Sequence, residues 1–274
     1  MIVAFSGLWT MRQTTGEGCL LRFNDVERLP VGTWILVAGV VLIAAFLQTS
    51  TGFGFSQVSV PILITVFAPR SAIQMTLILS LIISLTMLRS TRADMDTALL
   101  KRWVWSALVG IPVGIILFLT LPVLWIKVVL IASLGVAMLF LTLRLPLRRT
   151  ARRDALAGFL SGVLTSSVGL SGPPLLVYAS SANLKKSDIR NTTLTFHTVV
   201  YGFGIASQIL TKGIIRPTLL TTALLLAPLL SGIGIGHVVF PLLSQRVFKW
   251  LLYGILLCTE LYLIATVTGV FHLL

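Results

Sequence analysis

The chain has 274 residues, of which 56% are hydrophobic and only 11% are charged, and its formal charge is +13 at pH 7. A soluble domain carries about 25% charged residues, so this composition excludes an ordinary soluble protein. The apolar runs are continuous, which favours a polytopic all-α membrane protein over a β-barrel. The basic residues cluster between these runs, where they indicate membrane topology and contact with lipid headgroups rather than nucleic-acid binding.

The chain divides into four predicted segments. Residues 1–30 are expected to form a cytoplasmic or interfacial segment, and no basic stretch precedes its apolar start, so a secretory signal is not expected. Whether translation starts at Met1 or Met11 stays open. A first transmembrane repeat is predicted over 31–143, a basic linker over 144–154 and a second repeat over 155–270.

The first transmembrane segment is too long for one ordinary helix. No charged residue occurs between Arg28 and Arg70, and that run as a straight helix would be roughly 60 Å long. The hydrocarbon core of a bilayer is roughly 30 Å thick. We therefore expect this first helix, which starts near Val31, to be broken.

Two polar, glycine-bearing stretches are the expected positions of breaks. In 48–56, Gly52 and Gly54 weaken a helix, and Pro61 shortly afterwards lacks a backbone donor. A similar stretch at 165–174 interrupts the fifth helix, which begins near 155. Inside a membrane, broken backbone persists only where protein or a water-filled cavity satisfies its amides, so both stretches are candidate ligand sites.

The other helices are predicted from the apolar runs and the polar residues that separate them. Counting each broken segment as one crossing gives about eight spans. Lys and Arg are about twice as numerous in the segments that this count places inside, which favours cytoplasmic termini. The remaining helices are predicted at 71–88, with Ser71 as its cap, and at 103–121, 124–143, 191–210, 217–239 and 246–270.

The two halves show matching short sequences in the same order. Arg70-Ser-Ala-Ile parallels Lys186-Ser-Asp-Ile, and the spaced glycines of 110–114 parallel those of 232–236. Two homologous four-helix repeats, each with one interrupted helix, are typical of secondary transporters that bind substrate near the bilayer midplane. Whether the repeats are parallel or inverted stays open. The spaced glycines themselves favour helix packing over a site.

The breaks offer hydroxyls, amides and free helix-start N–H groups but no carboxylate. Such donors favour an anion, because the start of a helix is a positive dipole end and glycine lets a ligand approach the backbone. The alternative is that these small residues only let helices pack closely. The predicted substrate-binding residues are Gln48, Thr49, Ser50, Gly52, Gly54, Gln57, Ser166, Ser167, Gly169, Ser171, Gly172, Pro173 and Arg190.

Three ionisable residues carry further hypotheses. Arg190 is suited to bidentate binding of an oxyanion, although a solvated interfacial charge is the alternative. His197 lies on nearly the same helical face and could relay a proton, with a structural histidine as the alternative. Glu260 is an acid in the last apolar run and could belong to the same proton relay, with an interfacial acid as the alternative. No metal site or cofactor is predicted.

The paired motifs resemble the sulfite exporter TauE/SafE family of membrane permeases, which groups with toluenesulfonate uptake permeases. The first motif runs from Gln48-Thr-Ser-Thr-Gly-Phe-Gly to Pro61, and the second runs from Gly158 to Gly169-Leu-Ser-Gly-Pro-Pro; Arg190 follows. The resemblance covers roughly 31–268. It implies a carrier for sulfite, organosulfonates or related organic anions in a bacterial plasma (inner) membrane.

The leading hypothesis is therefore an alternating-access permease whose small anionic substrate binds between the two broken helices. An anion channel, or a carrier of another small organic anion, is the alternative. An intramembrane enzyme is disfavoured because His197, His237 and His272 are scattered and form no convergent catalytic group. The anion, the direction of transport, proton coupling and the oligomeric state stay open.

Overall fold

The computed structural model of the chain describes residues 29–88, 95–143, 149–181, 186–214 and 216–242, with isolated positions up to 261. Within these ranges the fold is helical and contains no strand. The predicted N-terminal segment and most of the predicted helix 246–270 lie outside the described residues. The helices are α1 (Val31–Thr51), α2 (Phe55–Val66), α3 (Pro69–Met87), α4 (Thr97–Thr120), α5 (Val123–Leu143), α6 (Ala151–Val168), α7 (Gly172–Ser181), α8 (Lys186–Lys212), α9 (Arg216–Leu224) and α10 (Leu226–Val239), followed by a 3₁₀ turn (Phe240–Leu242).

Several helices begin earlier than the apolar runs predict, because polar residues cap them. Asp96 accepts a hydrogen bond from the Leu99 amide at 2.9 Å, so α4 starts at Thr97 rather than near 103. Thr150 caps α6 in the same way. The predicted cap at Ser71 is wrong: α3 starts at Pro69, a residue suited to the first helical position.

The apolar helices establish an integral membrane protein. Three of the described helices, α1, α3 and α4, are long and apolar enough to cross a bilayer. A fourth candidate is the pair α9 and α10, two apolar pieces bent by 42°. The predicted eight spans, and the reading of each interrupted pair as one broken span, stay predictions.

Spaced glycines bring two pairs of helices into close contact, as predicted. A Cβ on Gly110 of α4 would lie 2.3 Å from the carbonyl oxygen of Phe159 in α6, so only glycine fits there. A Cβ on Gly232 of α10 would lie 2.4 Å from the Leu42 oxygen in α1. In each case the helix with the spaced glycines (α4 or α10) belongs to one half of the chain. It packs on the helix that precedes the break in the other half (α6 or α1).

Helix α8 is at the centre of the bundle and contacts α1, α3, α4 and α6. It begins at Lys186 rather than near 191, which places Arg190 inside the helix instead of in the preceding loop. At the end where α4 and α6 begin, two ion pairs join the halves: Arg102–Asp154 at 2.8 Å and Arg149–Asp96 at 2.6 Å.

Candidate anion site at two glycine breaks

The first break is a short turn between α1 and α2. Gly52 ends α1 with φ 83°, and its N–H donates to the Gln48 carbonyl at 2.8 Å. Gly54 precedes α2 with φ 111°. Both values lie in the left-handed region that favours glycine, so these residues shape the turn as predicted. Pro61 does not contribute to the break, because α2 continues through it to Val66.

Arg190 lies against this first turn. A Cβ on Gly52 would lie 3.0 Å from the Arg190 Cα, so glycine is needed both for its φ and for this approach. Nε of Arg190 donates to the Thr49 carbonyl at 2.7 Å. Thr49 is one of the last residues of α1, where the carbonyls carry the negative end of the helix dipole.

The guanidinium of Arg190 is buried without an acidic partner. The residue is 4% exposed, which excludes a solvated interfacial charge. Its Nη1 donates to Asn191 Oδ1 at 3.3 Å, and its Nη2 approaches the Met87 sulfur at 3.7 Å. Across the described residues no carboxylate lies within 4.0 Å of it. Burying a charge is costly unless it is paired, so an uncompensated guanidinium is a candidate seat for an anion.

The second break has the same backbone design. Gly169 ends α6 with φ 77°, and its N–H donates to the Thr165 carbonyl at 3.0 Å. Helix α7 starts at Gly172. Its next two residues, Pro173 and Pro174, have no N–H, so this helix start offers fewer donors to an anion than the start of α2.

Beside the second break lies a neutral hydrogen-bonded cluster, which we call the Ser171 cluster. Ser171 Oγ donates to the Tyr201 hydroxyl at 2.7 Å and lies 2.6 Å from His197 Nε2. Because a hydroxyl has one proton, Nε2–H of His197 then donates to Ser171. This leaves Nδ1 of His197 a buried atom that has no partner in the described part of the chain.

The two breaks meet at Gln57 and Gly172. A Cβ on Gly172 would lie 2.6 Å from Gln57 Nε2 and 3.5 Å from the Phe53 ring. The Gln57 side chain is buried, and its Nε2 has no hydrogen-bond acceptor among the residues described. The Phe53 ring lies edge-on to His197 at 6.3 Å between centroids. An unpaired amide donor therefore lies where the starts of α2 and α7 come together.

One face of α8 connects these contacts. Arg190 reaches the first break, His197 and Tyr201 reach the second, and Gln208 Nε2 donates to the Ser166 carbonyl at 3.1 Å. The spacing of these positions is close to multiples of 3.5 residues, so they share one face. We call this face the α8 stripe; its members, all buried residues, are Arg190, Thr193, His197, Tyr201, Gly204 and Gln208.

Sequence reasoning missed Thr193, Tyr201 and Gln208. The signal that could have found them is the recurrence of polar residues at helical spacing in an apolar helix. Thr193 Oγ1 and Gln208 Oε1 are buried and have no partner in the described ranges. Both atoms are therefore available to a ligand or to water.

Several predicted site residues form hydrogen bonds within the bundle instead of facing Arg190 or Ser171. Gln48 donates to the Ser80 carbonyl and to Ser84, each at 3.2 Å. Ser50 donates to the Gly236 carbonyl at 3.3 Å. These contacts hold α1 on α3 and α10.

Two of the three predicted serines of the second break, Ser166 and Ser167, behave in the same way. Ser166 donates to the Ile111 carbonyl of α4 at 3.0 Å, and Ser167 donates to the Val163 carbonyl of its own helix at 2.7 Å. A Cβ on Gly114 would lie 2.1 Å from Ser166 Oγ, so that hydroxyl fills the α4–α6 contact. The geometry gives these serines a packing role.

Pro173 lines a separate apolar groove of about 580 Å³ between α5, α6 and α7. Pro173 is the one predicted substrate-binding residue among the described residues that line this groove. Glu260 lies elsewhere: its Oε1 would be 3.1 Å from a Cβ on Gly135 of α5. In the described part of the chain no hydrogen bond joins Glu260 to His197.

The apolar helices, the glycine turns and the buried cation together define a polytopic α-helical membrane protein with a candidate anion site. A comparison with family models identifies it further: residues 37–263 match the family described as sulfite exporter TauE/SafE. The match covers most of the chain and lies within the 31–268 range of the predicted resemblance. The chain belongs to this family, whose description indicates a membrane transporter of sulfite or related anions. No curated protein and no solved structure matches the chain.

Proposed function

We propose that this protein is a secondary transporter of sulfur-containing oxyanions such as sulfite or organosulfonates. The observation that carries the proposal is the buried guanidinium of Arg190 with no acidic partner in the described residues. An anion bound there would supply the missing negative charge. Family membership supports the same substrate class.

The edge of the guanidinium fits an oxyanion. A guanidinium has five N–H donors in one plane, and Thr49, Asn191 and Met87 engage three of them. At least two donors are left for the oxygens of one sulfite or sulfonate group, in the bidentate geometry that favours Arg over Lys. Thr49 Oγ1 is also buried with no partner among the described residues, so it is a further donor next to Arg190.

The translocation path that we propose follows the α8 stripe. Arg190 and Gln208 are 18 positions apart, which is about 27 Å along a helix, close to the roughly 30 Å of the hydrocarbon core. Because the stripe is buried at Arg190, His197 and Tyr201, an anion would reach it only after a conformational change, which favours a carrier over an open channel. Alternating access would open it to one side and then the other.

The mechanism assumes eight spans in two four-helix repeats, with the first and fifth helices each broken. Two observations support this arrangement: Gly52 and Gly169 end their helices with nearly equal φ values of 83° and 77°, and Gly110 and Gly232 make matching helix contacts. The half-helices α2 and α7 touch at Gln57 and Gly172. Movement of one half against the other would separate them and open the site.

Proton coupling is assigned to His197, because its ring lies between the breaks and its Nδ1 has no partner in the described chain. The predicted relay through Glu260 would need a further group between it and His197, since Glu260 packs against Gly135 of α5 and has no hydrogen bond to His197 among the described residues. We place the protein in the bacterial inner membrane with both termini in the cytoplasm, as the distribution of Lys and Arg favours.

Uptake of radiolabelled sulfite and of an alkyl sulfonate into proteoliposomes tests the function. The wild type is expected to show saturable flux and counterflow, and Arg190→Ala and Gly172→Leu are expected to abolish both. Arg70→Ala is the matched control, because Arg70 also faces a ring, Phe118 at 5.7 Å, but is exposed. Unsaturable flux without counterflow would favour the channel. Equal flux in the wild type and both site variants would contradict the proposed site.

A further inference from the structure

Phe240 contacts the Arg190 guanidinium, and sequence reasoning did not predict this contact. It is the first residue of the 3₁₀ turn after α10, and its ring lies over the Arg190 guanidinium with 4.1 Å between Cζ and the ring centroid. The cation thus lies over the face of the ring, where the ring quadrupole is negative. The hydrogen bonds of Arg190 to Thr49 and Asn191 lie along the edge of the guanidinium instead.

We propose that Phe240 is a positioning residue for the anion site: the face of its ring stabilises the Arg190 cation and leaves the remaining guanidinium N–H donors to the substrate. This inference rests on the proposed function, because it concerns the same arginine. Phe240 acts through Arg190 and not by donating to the anion.

The chemistry of the partner matters here. A carboxylate beside Arg190 would neutralise its charge and occupy the same edge donors that an oxyanion needs. An aromatic ring attracts the cation through its quadrupole, most strongly where water is excluded, and it adds no negative charge and no competing acceptor. A ring therefore favours a buried, charged arginine that still attracts an anion.

The chain fixes the ring to the end of α1. The Phe240 N–H donates to the Gly236 carbonyl, which also accepts from Ser50 Oγ at 3.3 Å. A Cβ on Gly236 would lie 2.8 Å from Thr49 Cβ, so α10 and α1 are in direct contact at this point. The carbonyl of the same Thr49 accepts the Nε bond of Arg190. These contacts form a closed loop that runs from Arg190 to Thr49, Gly236, Phe240 and back to Arg190.

Side-chain exposure agrees with a covering role. Phe240 is partly buried, between the buried Arg190 and its exposed neighbours Val238 and Leu242, which are 68% and 79% exposed. The ring therefore separates the guanidinium from the surroundings of the helix bundle on that side. A leucine would fill similar space but would lose the attraction to the cation.

Transport kinetics in proteoliposomes test this role. Phe240→Leu is expected to raise KM for sulfite about three- to tenfold, the range that a cation–π contact supports, while Vmax stays within about twofold of the wild type. Phe240→Tyr and Phe240→Trp are expected to recover the wild-type KM. Leu242→Ala, in the same turn, is the matched control and should leave KM unchanged. A Phe240→Leu variant with wild-type KM, or Tyr and Trp variants no better than Leu, would overturn the proposal.

A second measurement separates this inference from the proposed function. Thermal unfolding of purified protein without any anion is compared for Phe240→Leu, Arg190→Gln and the double variant. Non-additive changes in Tm are expected, because removing either partner removes the same contact. Additive changes would overturn the Phe240 proposal even if the wild type transports sulfite. Non-additive changes in a protein that transports none of the anions would support the contact and contradict the transport function alone.

Discussion

At the first break, the turn Gly52–Gly54 has a buried arginine on its carbonyl side and a helix start with consecutive N–H donors on the other. At the second break, Gly169 makes the same turn, but Ser171, His197 and Tyr201 lie beside it and two prolines open the next helix. The backbones are alike and the electrostatics differ. The first break is suited to an anion, and the second is a neutral junction between α7 and α8.

The similar sequences of the two breaks suggested that each one both ends a helix and binds the substrate. The difference in their electrostatics shows that these two roles are separate. Glycine in the left-handed region determines where a helix stops, so it recurs in each half. What a break can bind depends on the side chains that α8 places beside it. Arg190 at one end of the α8 stripe and His197 further along it give the two turns different chemistry.

Replacing each turn glycine by alanine is expected to have the largest effect and to distinguish the breaks. An L-residue in the left-handed region costs about 1–2 kcal/mol, so Gly169→Ala should lower the stability by about that amount. Its Cβ would meet the Ile73 and Val60 side-chain methyls at 3.3 and 3.4 Å, which can adjust. Gly52→Ala should lower it more, because its Cβ would meet the Arg190 backbone at 3.0 Å.

Thermal unfolding in detergent and the yield of monodisperse protein measure this difference. Gly202→Ala in α8 is the control, since a Cβ there would have no heavy atom within 4 Å. Equal losses for Gly52→Ala and Gly169→Ala would show that the approach of Arg190 to the first turn does not matter.

The neutral cluster at the second break is expected to affect turnover more than affinity. Tyr201→Phe removes the bond to Ser171, worth about 1 kcal/mol, and His197→Gln removes the ring nitrogen on the other side of that hydroxyl. Both should lower Vmax several-fold with little change in KM, and His197→Gln should also abolish stimulation of uptake by a pH gradient. Uptake at several imposed pH gradients tests this; an unchanged gradient response in His197→Gln would remove that residue from coupling.

A smaller effect is expected at Asp96, outside the membrane-spanning helices. Partial burial favours its neutral form, but hydrogen bonds from the Leu99 amide and from Arg149 outweigh burial and hold the pKa of Asp96 below its ordinary value. Its carboxylate therefore stabilises the fold at pH values above about 4, and this contribution is lost as pH falls through the lowered pKa. Asp96→Asn keeps the helix cap but removes the ion pair to the partly exposed Arg149.

The expected loss for Asp96→Asn at pH 7 is less than about 1 kcal/mol, because water screens an ion pair with an exposed partner. The difference from the wild type should begin to shrink below about pH 4 and should vanish only below the lowered pKa of Asp96. Thermal unfolding between pH 3 and pH 7 measures it, and a difference as large at pH 3 as at pH 7 would contradict the ion-pair explanation.

The local sequence predicted the glycine turns better than it predicted the side chains that lie against them. Gly52 and Gly54 were identifiable because an apolar run of roughly 60 Å cannot be one span. Gly169 was identifiable because it lies in a similar polar, glycine-bearing stretch of the second half. The packing of Gly110 and Gly232 followed from their spacing. The family resemblance was confirmed by the match to residues 37–263.

Contacts between distant segments could not be predicted in this way. The Phe240 ring and the Arg190 guanidinium are separated by fifty positions, and nothing local to either one indicates the other. Ser166 and Ser167 have the composition of a site, but Ser166 bonds to the Ile111 carbonyl once α4 packs on α6, and Ser167 bonds to the Val163 carbonyl of its own helix. Helix starts at Thr97 and Ala151 were missed because polar capping residues extend a helix beyond its apolar run.

Equilibrium binding of an anion to the purified wild type and to Arg190→Gln tests the central claim most directly. Charge-assisted hydrogen bonds are worth about 1.5–3 kcal/mol, so the variant should bind sulfite or methanesulfonate about ten- to hundredfold more weakly. The anion should raise the Tm of the wild type and of Arg70→Ala alike, by mass action. Equal affinity in the wild type and Arg190→Gln would contradict the assignment of Arg190 as the seat of the anion.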